Sequence, residues 1–365
     1  MKILHLDSFT GFGGGQKRYS KISRDLKALG HEMVLVSREK NKVRRIFPGK
    51  CYTASFLGDL DLFSFIKIFY IILKEKPDII NTHSHQDHWI GGILSKLFKN
   101  IKLVHTRHVD FKVKNNFINK FIYKNLTDFI ITSCKKIKDT LISSFPDIKN
   151  FDKKIFPVLT LNIPEKKCEK NIYKESYNIN QDTKIVSMIT RLVSWKGHEY
   201  FLKAIPLITR EINNVKFLIA GKGPFESKLR ELVKKMEIGE YVIFTGFIED
   251  VENLYCDSYI SVLPSEMESP GVSIAESIFY ETPVITSRVG GIPEIVEDGY
   301  NGFLIEVGDF KKIAEVTIKL LKNEKLYKKI KENCRNWKQN KLKDKTPAEK
   351  TLNLYRKFLN VSSSN

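Results

Sequence analysis

The 365-residue sequence has few cysteines and no long apolar run, and each shortage excludes a class of protein. Its five cysteines are odd in number, widely scattered and without a Cys-x-x-Cys pair, which predicts neither a disulfide framework nor a structural zinc site. The longest apolar stretch, residues 62–73, is interrupted by Lys67 and is shorter than the ~20 residues that span a bilayer. The first residues lack the pattern of a signal peptide. We therefore expect a cytoplasmic protein whose contact with a membrane, where there is one, is peripheral and at the inner face.

Acidic residues are scarce relative to basic ones, and the imbalance is concentrated in the first half. The chain has 61 Lys and Arg against 42 Asp and Glu, a net charge of +19. Residues 1–165 hold 29 basic against 15 acidic residues, whereas residues 166–365 hold 32 against 27. A basic surface attracts phosphates on lipids, nucleic acids or small ligands, and a solvated lysine-rich surface explains the same charge. No recognition helix, RNP-like motif or zinc finger is visible, so nucleic-acid binding is a remote alternative and we expect no nucleic-acid partner.

The alternation of apolar runs predicts an α/β protein of two domains. Short Val/Ile/Leu-rich runs alternate with longer amphipathic segments in both halves, the pattern of βαβ units around parallel sheets. The polar segment 158–182 is the predicted linker, with a boundary near Pro164. The predicted domains are therefore 1–164 and 165–345, followed by a helix and tail at 346–365. The predicted strands are 2–6, 33–37, 79–82, 102–106, 129–132, 184–190, 216–220, 242–245, 260–263, 284–286 and 302–305.

Two motifs follow predicted strands, at the carboxyl ends where α/β sheets bind ligands. The glycine-rich segment 11–16 leads into a helix predicted to begin near Lys17, and it allows close approach to a phosphate. A tight connection explains those glycines equally well. Arg191 and Lys196 follow the first strand of the second half, where a guanidinium fork and an ammonium group can clamp a diphosphate.

A third motif places two carboxylates around a helix start. Glu268 lies in a loop after a predicted strand and Glu276 on the following helix, so together they can accept hydrogen bonds from two sets of hydroxyls on one sugar nucleotide. Taken alone, surface glutamates explain the pattern. In their order along the chain, the motifs resemble those of the family 4 (group 1) retaining glycosyltransferases, from residue 1 to about residue 358. The most specific matches are this E-x7-E pair and the segment 290–296, GGIPEIV; the glycine loop 13–16 and the R-x4-K pair also match.

This resemblance implies a fold and a reaction. It implies the GT-B fold, in which two Rossmann-like domains face each other across a cleft. The first domain binds the acceptor, the second binds the donor, and a terminal helix (349–359) crosses back to the first. It implies retaining transfer of a hexose from a nucleotide sugar, by preference a UDP-sugar, to a glycan or lipid-linked acceptor in polysaccharide or lipopolysaccharide assembly. No metal and no other cofactor is expected. A nucleotide-sugar epimerase or a phosphorylase on the same fold is the alternative.

The resemblance also implies a role for each matched residue. Arg191 and Lys196 would stabilise the leaving diphosphate, and Glu268 would bind the sugar hydroxyls. Glu276 would hold the ribose. His108 falls where many relatives have an active-site histidine, so it is the predicted catalytic contact from the first domain. The remaining predicted donor contacts are Gly14, Gly15, Gly223, Gly246, Pro270, Gly271 and Val272.

Histidines and carboxylates are concentrated after two strands of the first half. The group consists of His83, His85, Asp87, His88, His105, His108 and Asp110. Its spacing matches no standard zinc motif, so we predict no metal site. We predict instead that Gln16, His83 and His85 line the acceptor side of the cleft, where neutral imidazoles can bond to hydroxyls.

Residues 111–125 mix lysine with phenylalanine, isoleucine and tyrosine, as an interfacial amphipathic helix does. Together with the basic first half, this segment predicts peripheral contact with an anionic membrane. An ordinary core-packing helix with a solvated lysine face fits the same pattern.

Overall fold

The computed structural model describes residues 1–11, 13–58, 61–98, 100–159, 161, 167–269 and 271–360. The described chain divides into two compact units. The first contains residues 1–159 and 345–360, and the second contains the described residues from 161 to 344. The predicted boundary near Pro164 lies outside the described residues.

The first unit is built on a parallel sheet of seven strands in the order β3-β2-β1-β4-β5-β6-β7. The strands are β1 (Lys2–Asp7), β2 (Glu32–Ser37), β3 (Lys50–Thr53), β4 (Ile79–Thr82), β5 (Lys102–Arg107), β6 (Phe129–Thr132) and β7 (Ile155–Pro157). The helices are α1 (Gly14–Ala28), α2 (Leu62–Glu75), α3 (His85–Leu97), α4 (Phe117–Phe121) and α5 (Lys135–Ser144). A π-helical turn, Ile122–Leu126, continues directly from α4.

Alternate residues of these strands fill two cores, one on each face of the sheet, because successive side chains point to opposite faces. Leu4 and Ile80 belong to the core under α2, α3 and the π-helical turn. Ile3 and Ile79, one position earlier, belong to the core under α1. The strands are buried on both faces, as expected of a parallel sheet covered by helices.

The second unit repeats the plan with six parallel strands in the order β10-β9-β8-β11-β12-β13. The strands are β8 (Lys184–Ile189), β9 (Val215–Ala220), β10 (Val242–Gly246), β11 (Ser258–Leu263), β12 (Val284–Ser287) and β13 (Gly302–Ile305). The helices are α6 (Ile172–Ser176), α7 (His198–Thr209), α8 (Glu226–Lys235), α9 (Val251–Asp257), α10 (Val272–Phe279), α11 (Phe310–Lys322) and α12 (Glu324–Lys343). Among the described helices of both units, none is long and apolar enough to cross a bilayer.

The last helix, α13 (Pro347–Asn360), belongs to the first unit although it follows the second in sequence. Ala348, Leu352 and Tyr355 are buried in the same core as Tyr19 of α1. Asn81 Nδ2 donates to the Tyr355 hydroxyl at 2.9 Å, which ties the helix to β4. The predicted return of the terminal helix to the first domain is confirmed.

Cys168 and Cys256 form a disulfide, contrary to the expectation of no disulfide framework. Their separation of 88 residues and the absence of a recognisable motif hide the pair in the sequence. The neighbouring contacts also correct the predicted linker. Helix α6 lies within it, and Asp257 of α9 accepts a hydrogen bond from the backbone N–H of Tyr173 at 2.7 Å.

Two predicted helix bounds are wrong. Helix α1 begins at Gly14, three residues before the predicted start near Lys17, because Gly13 takes the N-cap position and its N–H donates to Gln16 Oε1 at 3.1 Å. The predicted helix over residues 111–125 is confined to α4 and the π-helical turn that follows it.

Candidate active site

Lys196 and Glu268 form an ion pair at the carboxyl ends of two neighbouring strands of the second unit. Lys196 closes a short 3-10 turn after β8, and Glu268 lies in the loop after β11, which pairs with β8. Lys196 Nζ donates to Glu268 Oε1, and the two side chains are only 16% and 11% exposed. Ser265 Oγ donates to the same carboxylate oxygen at 3.4 Å. The structure therefore joins two residues that the sequence offered in separate motifs.

Two glycines allow these loops to come close together. Gly197 has a φ of 76°, and a Cβ atom there would lie 1.9 Å from the carbonyl oxygen of Pro264. Gly290 has a φ of 54°, and a Cβ atom there would lie 1.6 Å from the carbonyl oxygen of Glu268. Only glycine fits such positions, so the backbone itself holds Lys196 beside Glu268.

Arg191 also follows β8, and its side chain is exposed. The next residue is fixed by two backbone bonds: Leu192 N–H donates to the Lys222 carbonyl at 3.2 Å, and the Leu192 carbonyl accepts from Phe225 N–H at 3.1 Å. A Cβ atom at Gly223 would lie 2.1 Å from the Leu192 carbonyl oxygen. The predicted donor glycine Gly223 thus lets the loop after β9 anchor the backbone beside Arg191.

Helix α10 begins at Val272, directly after Gly271, which has a left-handed φ of 58°. Glu276 lies one turn into the helix, beside buried Tyr255 of α9. The Tyr255 hydroxyl donates to the Ser273 carbonyl at 2.9 Å. Burial first, and then the charge of Glu276, raises the pKa of Tyr255 well above its usual range.

Gly246 and Pro270 are the last two donor predictions in this unit. Gly246 ends β10 with a φ of 73°, and its carbonyl accepts from Gly221 N–H at 2.8 Å. Pro270 lies outside the described residues. The donor residues that the structure describes in this unit lie in loops after β8, β9 and β11, at the end of β10, or in the first turns of α10. All of these places are on the carboxyl edge of one sheet, where α/β folds bind their ligands.

The glycine-rich segment of the first unit forms the start of α1. Gly13 caps the helix, and Gly14 and Gly15 are its first residues. A Cβ atom at Gly15 would lie 3.1 Å from the His108 ring, so a larger residue would push the helix from the histidine. Gln16, predicted to face the acceptor, is buried, and its Oε1 accepts from Gly13 N–H at 3.1 Å.

Asp7, at the end of β1, is a fully buried carboxylate that sequence reasoning missed. It accepts hydrogen bonds from Gln16 Nε2 at 3.2 Å, the Tyr19 hydroxyl at 2.8 Å and Asn41 Nδ2 at 3.3 Å. The Phe9 N–H also donates to it at 3.0 Å. Burial raises the pKa of Asp7, and these hydrogen bonds oppose the rise. The network fixes the first turn of α1 against β1.

A chain of three imidazoles runs inward from Arg18. Arg18 Nη1 lies 3.5 Å from His108 Nδ1, and His108 Nε2 lies 3.2 Å from His83 Nδ1. The chain continues from His83 Nε2 to His5 Nδ1 at 2.9 Å, and from His5 Nε2 to Ser23 Oγ at 3.2 Å. Because a guanidinium only donates, His108 accepts at Nδ1, and each neutral ring then donates from Nε2 to the next. The hydrogen bond from Arg18 to His108 therefore fixes the tautomers of all three rings.

The three rings are neutral at physiological pH. Burial lowers the pKa of His5 and His108 to about 3 and that of His83 well below its usual range. Both ring nitrogens of His108 are engaged, so the predicted bond to a substrate hydroxyl requires it to exchange a partner. His83 lies beside His108, whereas His85, predicted with them, is exposed at the first residue of α3.

The remaining histidines of the group pack inside the unit. His88 and His105 stack with ring centroids 3.8 Å apart, and His88 Nε2 lies 2.8 Å from Thr127 Oγ1. Within the described ranges, no three His, Cys, Asp or Glu side chains gather in a group that could hold a metal ion.

Two parallel-sheet units, each with ligand-type residues at the carboxyl edge of its strands, define the α/β GT-B architecture. Comparison with known proteins narrows the class. The family described as Glycosyltransferase Family 4 matches residues 12–150, and the family described as Glycosyl transferases group 1 matches residues 169–337. The chain belongs to the family 4, group 1 glycosyltransferases.

Two relatives and one solved structure are similar to this chain. The N-acetyl-alpha-D-glucosaminyl L-malate synthase of Bacillus anthracis is 27% identical over 353 residues, covering 92% of each chain. The Escherichia coli UDP-Gal:alpha-D-GlcNAc-diphosphoundecaprenol alpha-1,3-galactosyltransferase is 27% identical over 310 residues, covering 81% of this chain and 79% of its own. The structure of Anabaena HepE with UDP superposes with a TM-score of 0.83 at 17% identity, covering 100% of both chains.

Proposed function

We propose that this glycosyltransferase moves a hexose from a UDP-sugar to a glycan or lipid-linked acceptor with retention of anomeric configuration and without a metal ion. The observation that carries the proposal is the Lys196–Glu268 pair, which places an ammonium group and a carboxylate together at the carboxyl edge of the donor-type sheet. A nucleotide sugar offers the matching chemistry, since a diphosphate attracts the cation and sugar hydroxyls donate to the carboxylate.

The donor is held by the second unit in this proposal. Arg191 and Lys196 neutralise the diphosphate, and the backbone N–H groups that open α10 add the positive end of a helix. Glu276 accepts hydrogen bonds from the ribose, and Glu268 accepts from the sugar. Glu268 also holds Lys196, so a diphosphate that binds Lys196 exchanges one anionic partner of Lys196 for another. Cations already in position leave no role that requires a divalent ion.

The reaction breaks the bond between the anomeric carbon and the diphosphate oxygen and forms a bond from that carbon to the acceptor oxygen. The acceptor attacks from the face that the diphosphate leaves, and its proton passes to a phosphate oxygen of the leaving group. Negative charge grows on the diphosphate in the transition state. Arg191 and Lys196 therefore bind the transition state more strongly than the donor, which is the condition for catalysis.

The acceptor is a glycan of cell-surface polysaccharide or lipopolysaccharide assembly, free or attached to a lipid. The Escherichia coli relative carries an acceptor on diphosphoundecaprenol in its name, and HepE was crystallised with UDP-glucose. In the first unit, Gly14, Gly15 and His108 lie together at the start of α1, which suits them to meet a bound ligand.

A metal-free thermal-shift panel of UDP-, GDP-, ADP- and dTDP-sugars tests the donor site. We expect UDP-sugars alone to raise the unfolding temperature, and Glu276→Ala to abolish the rise because the ribose loses its carboxylate. Glu231→Ala is the matched control, since Glu231 lies exposed on α8 away from these loops. A wild-type protein that responds to no nucleotide sugar contradicts the proposal, and so does an equal response in Glu276→Ala.

A further inference from the structure

Helix α2 is apolar on both of its sides. Its inner residues, among them Ile68 and Ile72, are buried in the core of the first unit. Five large side chains on its outer side are exposed: Leu62, Phe63, Ile66, Tyr70 and Leu73. Phe63 is 81% exposed and Tyr70 65%. At about 100° per residue these five span an arc of about 100°. A helix that is apolar all round is normally covered on every side, so the outer stripe calls for a partner.

The neighbouring helices extend the same surface. Helix α3 exposes Ile93 and Leu97, and α4 exposes Phe117 and Phe121. Helices α2 and α3 and the π-helical turn that continues α4 contribute to one buried core against one face of the sheet. Their outer sides therefore belong to one surface of the first unit. We call the exposed residues of α2, α3 and α4 the α2–α4 face.

The helices on the opposite side of the sheet show the ordinary pattern. Helix α1 turns Lys17, Arg24 and Lys27 to solvent, and the outward positions of α13 include Lys350 and Arg356. Among the described residues of these two helices there is no exposed large apolar side chain. Helices α1 and α13 thus present a polar outer side, whereas α2, α3 and α4 present large apolar side chains.

The charged residues of α2 are also unevenly distributed, with the lysines exposed and the carboxylates buried. Lys67 and Lys74 are exposed beside the apolar stripe. Asp61, its N-cap, is buried and accepts from Ser64 N–H at 3.2 Å. Glu75 is buried and accepts from the Tyr52 hydroxyl at 2.6 Å. The described outer side of α2 therefore carries positive charge and apolar groups with no acidic residue.

We propose that the α2–α4 face docks on the surface of an anionic lipid bilayer. Aromatic and aliphatic side chains such as Phe63 and Tyr70 enter the boundary between headgroups and acyl chains, while Lys67 and Lys74 meet lipid phosphates. A second copy of the chain fits less well, because a two-fold interface would set this positive surface against itself. The inference deepens the proposed function by placing the enzyme where a lipid-linked acceptor lies, and it rests on that function for its purpose.

Vesicle flotation of the full chain tests the docking without any donor or acceptor. We expect binding to vesicles of phosphatidylcholine with phosphatidylglycerol, weaker binding to phosphatidylcholine alone, and a decrease as salt is raised. Phe63→Ser with Tyr70→Ser should lower the partition coefficient at least tenfold. Leu342→Ser, at an exposed apolar position of the second unit, is the matched control and should not. Lys67→Gln with Lys74→Gln should lower it about fivefold per lysine.

A fluorescence readout on a tryptophan variant keeps the test independent of any loss of folding. In Phe63→Trp, brominated lipids should quench the added indole emission, measured as the difference from the wild type, whose Trp89, Trp195 and Trp337 give the background. The emission that Leu342→Trp adds should not be quenched. No binding by the wild type, equal binding by Phe63→Ser/Tyr70→Ser, or no quenching at residue 63 overturns the docking. Concentration-dependent dimers that the same double variant abolishes would assign the face to a second copy. The donor thermal shift is measured on the same samples, so failure of the membrane inference and failure of the transferase proposal are told apart.

Discussion

Lys196 and Glu268 form an ion pair whose side chains are 16% and 11% exposed. Such a pair contributes little net stability, because desolvation offsets most of the attraction, yet loss of one partner leaves a buried charge. Glu268 therefore orients Lys196 at the carboxyl edge of the sheet. The ion pair therefore matters more for the position of Lys196 than for the stability of the second unit.

Lys196→Ala is expected to lower kcat for sugar transfer by about a hundredfold or more, because the developing charge on the diphosphate loses one preorganised cation. Steady-state kinetics at saturating donor measure the effect, with folding checked by circular dichroism. Lys203→Ala, on the exposed side of α7, makes the same change away from the site and should retain full activity. Equal rates for Lys196→Ala and wild type would remove Lys196 from the chemistry.

The neutral histidine chain makes the stability of the first unit dependent on pH. Burial holds the pKa of His5 at about 3, below the 6.5 of an unfolded histidine. Between these values the unfolded chain binds a proton that the folded chain excludes, so stability is complete above about pH 6.5 and falls as the pH drops toward 3. Each such ring contributes roughly 2 kcal/mol of loss between pH 7 and pH 5.

His5→Gln should therefore reduce the loss of unfolding free energy between pH 7 and pH 5 by roughly 2 kcal/mol, whatever it costs at pH 7. Urea unfolding at the two pH values measures this difference. Comparing variant with wild type at each pH cancels the contributions of other groups, such as buried Asp7. His85→Gln, at an exposed position, should leave the pH dependence unchanged. An unchanged slope in His5→Gln would mean that the ring takes up its proton as readily in the folded chain as in the unfolded one.

The loop at Gly290 approaches the Glu268 backbone closely, and a substitution at Gly290 tests whether this contact holds the donor site in place. Gly290→Ala is expected to destabilise the second unit by more than about 2 kcal/mol, because its Cβ atom would overlap the Glu268 carbonyl oxygen. Gly299 has a similar left-handed φ of 75° but open space around it, so Gly299→Ala should cost only about 1 kcal/mol. Chemical unfolding of both variants separates collision from backbone strain, and equal costs would refute the collision.

The strands that sequence predicted are those with continuous apolar runs, such as β1 and β8, because burial on both faces leaves a clear signal. Strand β7, IFP, and strand β3, KCYT, were missed. Both lie at an edge of the sheet, are short, and contain residues that interrupt the apolar pattern. The disulfide was invisible for a different reason, since pairing of distant cysteines depends on three-dimensional proximity.

The site residues also divide into those that the sequence predicted and those that it missed. Lys196 and Glu268 could be predicted from the spacing and order of their motifs, but the contact between them could not. Asp7, Arg18 and His5 were missed because single polar residues in or beside apolar runs look alike whether they are core or site. The one available signal is a polar residue that interrupts a predicted buried strand, as His5 interrupts β1.

For the molecule as a whole, the terminal helix is the element on which the first unit depends. Ending the chain at residue 345 should lower the stability of that unit by at least about 3 kcal/mol, since the Tyr355 ring and its apolar neighbours leave the core uncovered. Calorimetry should show that the first unit of the shortened chain unfolds at a lower temperature, while the unfolding transition of the second unit stays unchanged. Tyr355→Ala should reproduce part of the loss and Asn353→Ala, at an exposed position, none. Identical traces for full-length and shortened chains would contradict this dependence.

Because of this dependence, the second unit can complete its fold on the ribosome before the first. The second unit holds all its elements by residue 344, whereas the first waits for α13. Translation from residue 161 to residue 360 takes roughly 10 to 40 s at 5–20 residues per second. During that interval the apolar core that Tyr355 covers lies open to solvent, so we expect chaperones to bind the nascent chain there.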